Sequence, residues 1–419
     1  MCHSGHVTSR GRACVVAVTA GAIVMGSLAS CAVGTSDADS GDPSTLRWYV
    51  QDAGSYAAIA RACSDASEGA FRIELVEAPA DPQERRTDLV QRLRTGDDLD
   101  LVGVDTSAIG ELAAAELLAP VPGDLAGDLA DGRTEPSVAA ATVDGSLVAA
   151  PWWYEPQVLL HRGSVAERAG LDMTEAVTWD LLSAGASRVG GSVQVAGSTA
   201  DWVRALVAGA ADDPDLGVDA LVSALDGPAG TAAASVVRTF AASSIGPGPS
   251  PDAAVTFAGP GGSFLVGPVS LVASDALAPV RAELRVAPYP LTSSTSTTSR
   301  SPLSGTALAV PASAADPETA FQAVTCLTAA PAQQTLVAAT GHLPTLSDLL
   351  TSTAVAELVI SPEVVASALA DGAPEPAAPT THLLEQAIDT TWAPLAAVGP
   401  DTPARSAAEA RRLLDGGLS

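Results

Sequence analysis

Two kinds of side chain in this sequence have the chemistry to bind a small polar molecule: carboxylates that follow predicted strands, and aromatic rings in a row. Gln51 and Asp52 follow a predicted strand over residues 46–50, and Asp105 closes another over residues 99–104. Carboxylates and amides hydrogen-bond to hydroxyl groups, and ligands of open α/β sheets bind beyond the carboxyl ends of the strands. These three residues are therefore candidate ligand-binding residues. The alternatives are that Asp52 only forms a turn and that Asp105 only caps a helix.

The aromatic candidates are Trp152, Trp153 and Tyr154, which lie consecutively between two apolar segments. Successive side chains of a strand point to opposite faces, so we expect at least one of these rings to face a cleft or solvent. One use of such rings is to stack on the C–H faces of sugars. Glu155, next in the chain, and Trp202 are further candidates. The alternatives are that the three rings pack in the core, that Glu155 is solvated, and that Trp202 packs a helix.

The elements that must position these residues alternate between strand and helix patterns over residues 45–118. This order predicts an α/β fold with an open parallel sheet and right-handed crossovers. Farther along, residues 264–266 and 269–272 predict strands on either side of Gly267-Pro268. Gly305 precedes an apolar strand and is a candidate site residue, unless it serves only a turn. The predicted strands of the first segment cover 46–50, 71–75 and 99–104, and its longest predicted helix covers 82–95.

Composition limits the classes of function. The chain has 419 residues, of which 47% are hydrophobic, and a net charge of −27. The hydrophobic content excludes global disorder, and so acidic a surface repels phosphate backbones, so we predict no nucleic-acid partner. The five histidines are scattered, so neither a metal site nor a cofactor is predicted.

The N-terminus has the pattern of an exported protein. Arg10 and Arg12 precede an apolar segment over residues 14–28, and Leu28-Ala29-Ser30-Cys31 follows. This tetrapeptide resembles the lipobox of bacterial lipoproteins. We predict a signal peptide over residues 1–30, lipidation of Cys31, and a flexible linker over residues 31–44. The alternative is an ordinary secretory signal with a chance cysteine. A membrane-spanning helix is disfavoured, because the apolar segment is shorter than about 18 residues.

Several of these features occur in the order seen in one protein family. They are the tetrapeptide ending at Cys31, the strand ending at Asp105, Pro151-Trp152-Trp153, Gly305 before its strand, and residues 341–345. Together they resemble the solute-binding proteins of bacterial ABC sugar importers, over most of the chain after Cys31. Within the group that includes maltose- and trehalose-binding proteins, the chain is most similar to actinobacterial trehalose-binding lipoproteins.

The resemblance implies a two-lobed periplasmic-binding-protein fold of type II, with a hinge and an interlobe cleft. It implies a monomer on the outer face of the cell membrane that captures a disaccharide or oligosaccharide and delivers it to a membrane permease. Cys63 and Cys326 could pair or remain free thiols on composition alone, and the resemblance implies a disulfide between them. The expected lobes are 45–150 with 265–312, and 153–262 with 314–419.

The chain departs from these relatives at three positions, where it has Glu155, Val269 and Glu375. The resemblance therefore predicts the transport role rather than a particular sugar. Two other classes of function remain open from the residues. One is a secreted carbohydrate-active enzyme that uses two carboxylates, although no Gly-x-Ser-x-Gly motif occurs. The other is a lipoprotein sensor without a transport role.

Overall fold

The computed structural model describes residues 44–211, 213, 216–356 and 361–417. The predicted signal peptide, Cys31 and nearly all of the predicted linker lie outside these residues. The strands are β1 Ser44–Val50, β2 Phe71–Glu77, β3 Leu101–Asp105, β4 Thr142–Val143, β5 Ser146–Leu147, β6 Ala150–Arg162, β7 Ser192–Val195, β8 Gly262–Pro268, β9 Leu284–Ala287, β10 Pro302–Ala309 and β11 Ala373–Pro374.

The helices lie between these strands and after them. They are α1 Ala53–Ala66, α2 Pro82–Thr95, α3 Thr106–Ala114, α4 Gly123–Ala130, α5 Glu135–Ala140, α6 Gly163–Ala169, α7 Trp179–Arg188, α8 Thr199–Ala210, α9 Val218–Leu225, α10 Pro228–Ser243, α11 Ala253–Ala258, α12 Pro317–Leu327, α13 Ala330–Thr340, α14 Ser347–Leu350, α15 Thr353–Ala356, α16 Pro362–Asp371, α17 Thr381–Trp392 and α18 Thr402–Gly417. Three short 3-10 helices cover Val269–Ala273, Asp275–Glu283 and Leu395–Ala397.

Local sequence signals explain the first α/β units. The α2 helix begins at Pro82, where the missing N–H costs nothing, and the Asp81 carboxylate accepts the N–H groups of Gln83 and Glu84. It ends at Gly96, whose φ of 66° lies in the left-handed region that glycine adopts without strain. The predicted helix over 82–95 is confirmed. Strands β1, β2 and β3 pair in parallel, as predicted, and β1 lies between the other two.

One long sheet runs through the described part of the chain, in the order β2-β1-β3-β10-β6-β8-β7. Strand β11 pairs with β10, and β9 pairs with β6. The thirteen-residue strand β6 has two sets of partners: its first part pairs with β10, and its second part pairs with β8 and β9. Strand β6 therefore passes from one part of the sheet into the other, and β10 crosses beside it.

Strand pairing and helix packing join segments that are distant in the sequence. Strands β8 and β9 pair with the second part of β6. Helices α12 and α13 pack on α1. Local patterns do not decide where such segments pack, and the expected lobe boundaries remain a prediction.

The predicted disulfide is confirmed. Cys63 on α1 and Cys326 on α12 are bonded, with their Cα atoms 5.8 Å apart and a separation of 263 positions in the sequence. On the chain-entropy model, closing so long a loop stabilises the fold by up to ~5 kcal/mol. The link fastens α12 to the same core as α1 and so fixes where this late segment packs.

One predicted strand is wrong. Residues 269–272 lie in the 3-10 helix Val269–Ala273, because Pro268 ends β8 and the Ser270 N–H donates to the Glu155 carboxylate instead of to a strand. Among the described residues, no single helix has both the length and the apolar character to cross a membrane. Helices α9 and α10 meet these two criteria only when taken together, across a bend of 66°.

Candidate functional site

A cleft of about 340 Å³ opens where β6 and β10 cross the sheet. It lies beyond the carboxyl ends of β1 and β3, the edge at which parallel strands bind ligands. The lining residues come from both parts of the sheet and from the loops around it. They are Val50, Gln51, Asp52, Tyr56, Arg85, Gly103, Asp105, Trp152, Trp153, Glu155, Pro268, Ser270, Leu271, Ser304, Thr306 and His342.

One wall of the cleft carries an oriented carboxylate. The Arg85 side chain donates from Nη2 and Nε to Asp105 Oδ2, at 2.8 and 3.1 Å. Its Nη1 donates to the backbone oxygens of Pro79 and Ala80, which fixes the guanidinium in place. Asp105 Oδ1 makes no hydrogen bond to any described residue, so this half of the carboxylate is available as an acceptor on the cleft wall.

Asp52 lies at the mouth of the cleft in a constrained turn. Its φ of 52° is in the left-handed region, which non-glycine residues seldom adopt. The N–H groups of Asp52 and Ala53 donate to the two carboxylate oxygens of Glu77, and the Ser55 hydroxyl donates to Asp52 Oδ2. Backbone conformations of this kind persist only where the surroundings enforce them, and they concentrate at functional sites.

The opposite wall is a chain of polar contacts ending on an aromatic ring. Glu155 is only 2% exposed, and its carboxylate accepts the Ser270 N–H at 3.0 Å and the Ser270 hydroxyl at 2.8 Å. His342 Nδ1 lies 2.9 Å from Glu155 Oε1, so that nitrogen carries the hydrogen and donates it. The His342 ring stacks on Trp153, with centroids 3.9 Å apart and planes 6° from parallel. Glu155 therefore positions His342, and His342 positions Trp153.

Tyr56 supplies a hydroxyl donor to the cleft floor. Burial, and after it the charge of Asp52, raises the pKa of the phenol, which therefore stays protonated at neutral pH. Its ring packs against Trp152, with centroids 4.7 Å apart, and Trp152 in turn packs against Trp48 at 5.2 Å. This buried cluster forms a rigid base beneath the polar groups.

A second cavity of about 340 Å³ adjoins the first. The two share Asp52, Ser270, Leu271 and His342, so they form one continuous groove. The added part is polar and acidic, and its further lining residues are Ser55, Ala273, Ser274, Asp275, Ala339 and Thr340.

Comparison with known proteins decides the family. The model of the bacterial extracellular solute-binding proteins matches residues 58–362, which is most of the chain. The chain belongs to this family. Membership makes it a solute-binding protein and not an enzyme, so the enzyme alternative is excluded.

Solved structures of this kind share the fold over nearly their whole length. The GacH receptor of Streptomyces glaucescens, solved unliganded and with acarbose, has a TM-score of 0.76 at 19% identity, covering 89% of this chain and 99% of that one. UgpB from Mycobacterium tuberculosis, in complex with glycerophosphocholine, has a TM-score of 0.74 at 17% identity, covering 90% and 99%. The maltose-maltodextrin binding protein of Alicyclobacillus acidocaldarius has a TM-score of 0.72 at 18% identity, covering 88% and 100%. The two-lobed α/β fold predicted from the sequence is thereby confirmed.

In this solute-binding protein, six of the nine sequence-predicted site residues line the cleft: Gln51, Asp52, Asp105, Trp152, Trp153 and Glu155. Asp105 precedes α3, but its side chain makes no capping hydrogen bond to the helix. Glu155 is buried and triply hydrogen-bonded rather than solvated. Trp152 is fully buried beneath the cleft surface, whereas Trp153 is partly exposed.

Three predicted site residues lie elsewhere. Trp202 packs edge-on against Trp179 and Phe240, with centroids 5.2 and 5.1 Å away, in the hydrophobic core around α7, α8 and α10. Tyr154 is buried with its hydroxyl away from the cleft lining. Gly305 lies inside β10 and not in a turn; a Cβ there would approach the Trp153 backbone oxygen to 2.3 Å, so glycine is needed for β10 to pass β6.

Sequence reasoning missed several lining residues, above all Arg85, Tyr56 and His342. Tyr56 lies on the buried face of α1, and Arg85 is one of several charged side chains on α2, so neither residue stands out in the sequence. His342 was noticed within residues 341–345, but nothing local showed that it pairs with Glu155, 187 residues away. A signal existed only for His342, because it lies in a segment that resembles the family.

Proposed function

We propose that this chain is the lipid-anchored substrate-binding component of an ABC importer, and that it captures a carbohydrate in the cleft and delivers it to a membrane permease. The observation that carries the proposal is the Trp153 ring, held by His342 beside the free acceptor of Asp105 and the turn at Asp52. A ring face next to several hydrogen-bonding groups suits a ligand with an apolar C–H face and many hydroxyls.

The charge of the groove narrows the class of ligand. Four carboxylates line the two parts of the groove, and among the lining residues Arg85 is the only arginine. The four are Asp52, Asp105, Glu155 and Asp275. Such a surface repels anions and favours neutral or cationic hydroxylated molecules. Of the similar proteins, GacH was solved with acarbose, and the Alicyclobacillus acidocaldarius protein is a maltose-maltodextrin binding protein. Both are consistent with a disaccharide or longer ligand occupying both parts of the groove.

We infer that the open cleft admits the ligand and that two lobes then close around it by a hinge motion about β6 and β10. The packing supports a first lobe from β1 to the start of β6, joined by the later part of β10 with α12 and α13. The second lobe then consists of the chain from the second part of β6 to β9, together with α16, α17 and α18. The proposed anchor is Cys31, and the proposed functional state is a monomer.

Calorimetry of the purified domain tests the binding role. We expect saturable binding of at least one of maltose, maltotriose, trehalose and acarbose, with no product detected by chromatography. Trp153→Ala should weaken that binding at least tenfold, while Leu181→Ala, at a side chain 56% exposed on α7, should leave it unchanged. Absence of binding to all four sugars, or turnover of any of them, would contradict the proposal.

Membrane fractionation tests the anchor separately. The full chain should fractionate with membranes, and Cys31→Ser should release it or leave it with an uncut signal. Deleting the gene should abolish uptake of the sugar identified by calorimetry. Normal uptake in the deletion strain would favour a sensor over a transport component.

A further inference from the structure

Three carboxylates meet outside the cleft, near the crossing strand β10. Asp201 lies on α8, Glu375 directly follows β11, and Glu385 lies on α17. One oxygen from each lies within 4.8 Å of the others. These three residues are called the acidic triad below. They come from three separate segments that local sequence patterns do not bring together.

A single arginine enters the acidic triad. Arg204 is 4% exposed, and its Nη2 lies 2.8 Å from Glu375 Oε1 and 3.4 Å from Asp201 Oδ1. The Thr106 hydroxyl donates to the other oxygen of Glu375 at 3.1 Å. Glu385 accepts no hydrogen bond from any residue that the structure describes. Fully ionised, the triad with Arg204 carries two negative charges in excess.

The geometry opposes that excess charge. The Glu375 side chain is only 9% exposed, and one of its oxygens lies within 4.8 Å of an oxygen of each of the other two carboxylates. Carboxylates packed this closely keep their charges only if a positive charge joins them.

Two tyrosine hydroxyls give an independent indication that a polar occupant belongs here. Tyr154 is 2% exposed and Tyr289 is 1% exposed, and neither hydroxyl has a hydrogen-bond partner among the described residues. The Tyr154 hydroxyl interacts electrostatically with the charges of Glu375 and Arg204, and the Tyr289 hydroxyl with those of Arg204 and Asp201. Buried hydroxyls nearly always have a partner, so an unpaired pair beside the acidic triad indicates a group that completes them.

We propose that Asp201, Glu375 and Glu385 bind a divalent cation of the Ca²⁺ or Mg²⁺ class. Only oxygen donors converge here, and hard cations prefer oxygen, whereas zinc and copper favour nitrogen or sulfur. One divalent ion neutralises the excess charge of the triad and Arg204. Water bound to that ion can pair with the tyrosine hydroxyls. The sequence predicted no metal site, because histidine and cysteine spacing carries no information about carboxylates brought together by folding.

The bound ion would fasten α8, α17 and the segment after β11 to one another. Thr106, at the start of α3, touches Glu375 and also accepts the Gly305 N–H of β10. The site therefore adjoins the strands about which we expect the lobes to close. It lies apart from the sugar cleft, since none of its three carboxylates lines that cleft.

Thermal unfolding and calorimetry of the EDTA-treated protein test the proposal. We expect one saturable site for CaCl₂, MgCl₂ or MnCl₂, with a Tm that rises as the logarithm of metal concentration above Kd. Glu385→Gln should abolish both responses. It should be at least as stable as the parent protein in EDTA, because it removes an ionisable group from among other carboxylates and no hydrogen bond. Glu283→Gln, at an exposed glutamate on another element, should respond like the parent protein.

The proposal is overturned if the Tm of the parent protein does not change up to millimolar concentrations of all three metals. Protons on the carboxylates, and not a metal ion, would then neutralise the excess charge. Equal metal responses in Glu385→Gln and Glu283→Gln would also overturn it, because the ion would then bind elsewhere. Should Glu385→Gln fail to fold, Tb³⁺ luminescence of the parent protein decides. We expect sensitised emission from the nearby tyrosines that Ca²⁺ displaces; no emission, or emission that Ca²⁺ leaves unchanged, contradicts the site.

Discussion

The cleft that we propose binds sugar and the acidic triad both hold partly or fully buried carboxylates beside the crossing strands, but the charges of these carboxylates are balanced differently in the two regions. In the cleft, Glu155 accepts two hydrogen bonds from Ser270 and one from His342, and Asp105 has its own arginine, Arg85. In the triad, three carboxylates share Arg204, and Glu385 has no donor among the described residues.

On the two proposals above, this difference separates a site for a neutral ligand from a site for a charged ligand. A cleft whose buried charges are already paired offers fixed dipoles and unused hydrogen-bond acceptors. These groups can bind ligand hydroxyls without an ion. A cluster with unpaired negative charge stays unfavourable until a cation or protons arrive. Substitutions in the two regions should therefore act on different measurements.

The largest effect on stability should follow removal of the arginine from the triad. Arg204→Gln removes the buried counter-charge of three partly buried carboxylates, and breaking a buried ion pair typically costs about 3–5 kcal/mol. Urea unfolding in EDTA measures the loss. If the triad binds a cation as proposed, CaCl₂ should restore part of it.

The control for this variant is Arg412→Gln, which removes an exposed partner of Glu409 on α18. We expect it to change stability little, because exposed ion pairs contribute little. If the two variants lose equal free energy of unfolding, the buried ion pairs of Arg204 stabilise the fold no more than an exposed ion pair does.

The next largest effect should come from the cleft. Glu155→Ala leaves the Ser270 N–H, the Ser270 hydroxyl and His342 without their shared acceptor, at a cost of about 2–3 kcal/mol. Since His342 then no longer holds Trp153, sugar affinity should fall as well. Unfolding and calorimetry on the same preparation measure both. Unchanged affinity would contradict the role of Glu155 in positioning the ring.

A third expectation concerns pH and the triad alone. The folded-state pKa of Glu385 is raised to about 8, so between its unfolded value near 4.5 and pH 8 the folded state binds the extra proton. Stability from this group is therefore present at low pH and is lost as pH rises through that window. The groups that face it are Glu375, Asp201, Arg204 and Asp389.

Glu385→Gln cannot ionise, so it should gain about 1–2 kcal/mol relative to the parent protein between pH 5 and pH 8, measured in EDTA. Exposed Glu283→Gln should follow the parent protein at both pH values. A stability difference between Glu385→Gln and the parent that does not change with pH would mean that Glu385 is already ionised at pH 5, or already paired.

The sequence predicted those parts of the fold that local patterns determine. The α2 helix was predicted at its observed bounds, because Asp81, Pro82 and Gly96 are start and stop signals that act within a few residues. The parallel order of β1 to β3 followed from alternation of strand and helix. The cysteine pair followed from the resemblance and not from the residues alone.

The remaining features depend on partners far apart in the chain. Glu155 could not be recognised as buried without His342 and Ser270, and Trp202 could not be assigned to packing without Trp179 and Phe240. The same limitation hid the acidic triad, since Asp201 and Glu375 are 174 positions apart in the numbering. Residues whose type alone suggests ligand binding could therefore be found from the sequence. Roles that depend on contacts between distant residues could not.

The smallest effect should come from Ser270→Ala, which separates the two contributions of Glu155. This variant keeps the backbone N–H and the His342 contact and removes only the hydroxyl that donates at 2.8 Å. We expect a loss of about 1 kcal/mol in stability and a sugar affinity within a few-fold of the parent protein, because Trp153 keeps its support. If calorimetry shows instead a loss of binding as large as that of Glu155→Ala, Ser270 itself contacts the sugar, and the wall around Glu155 binds ligand directly rather than only positioning the ring.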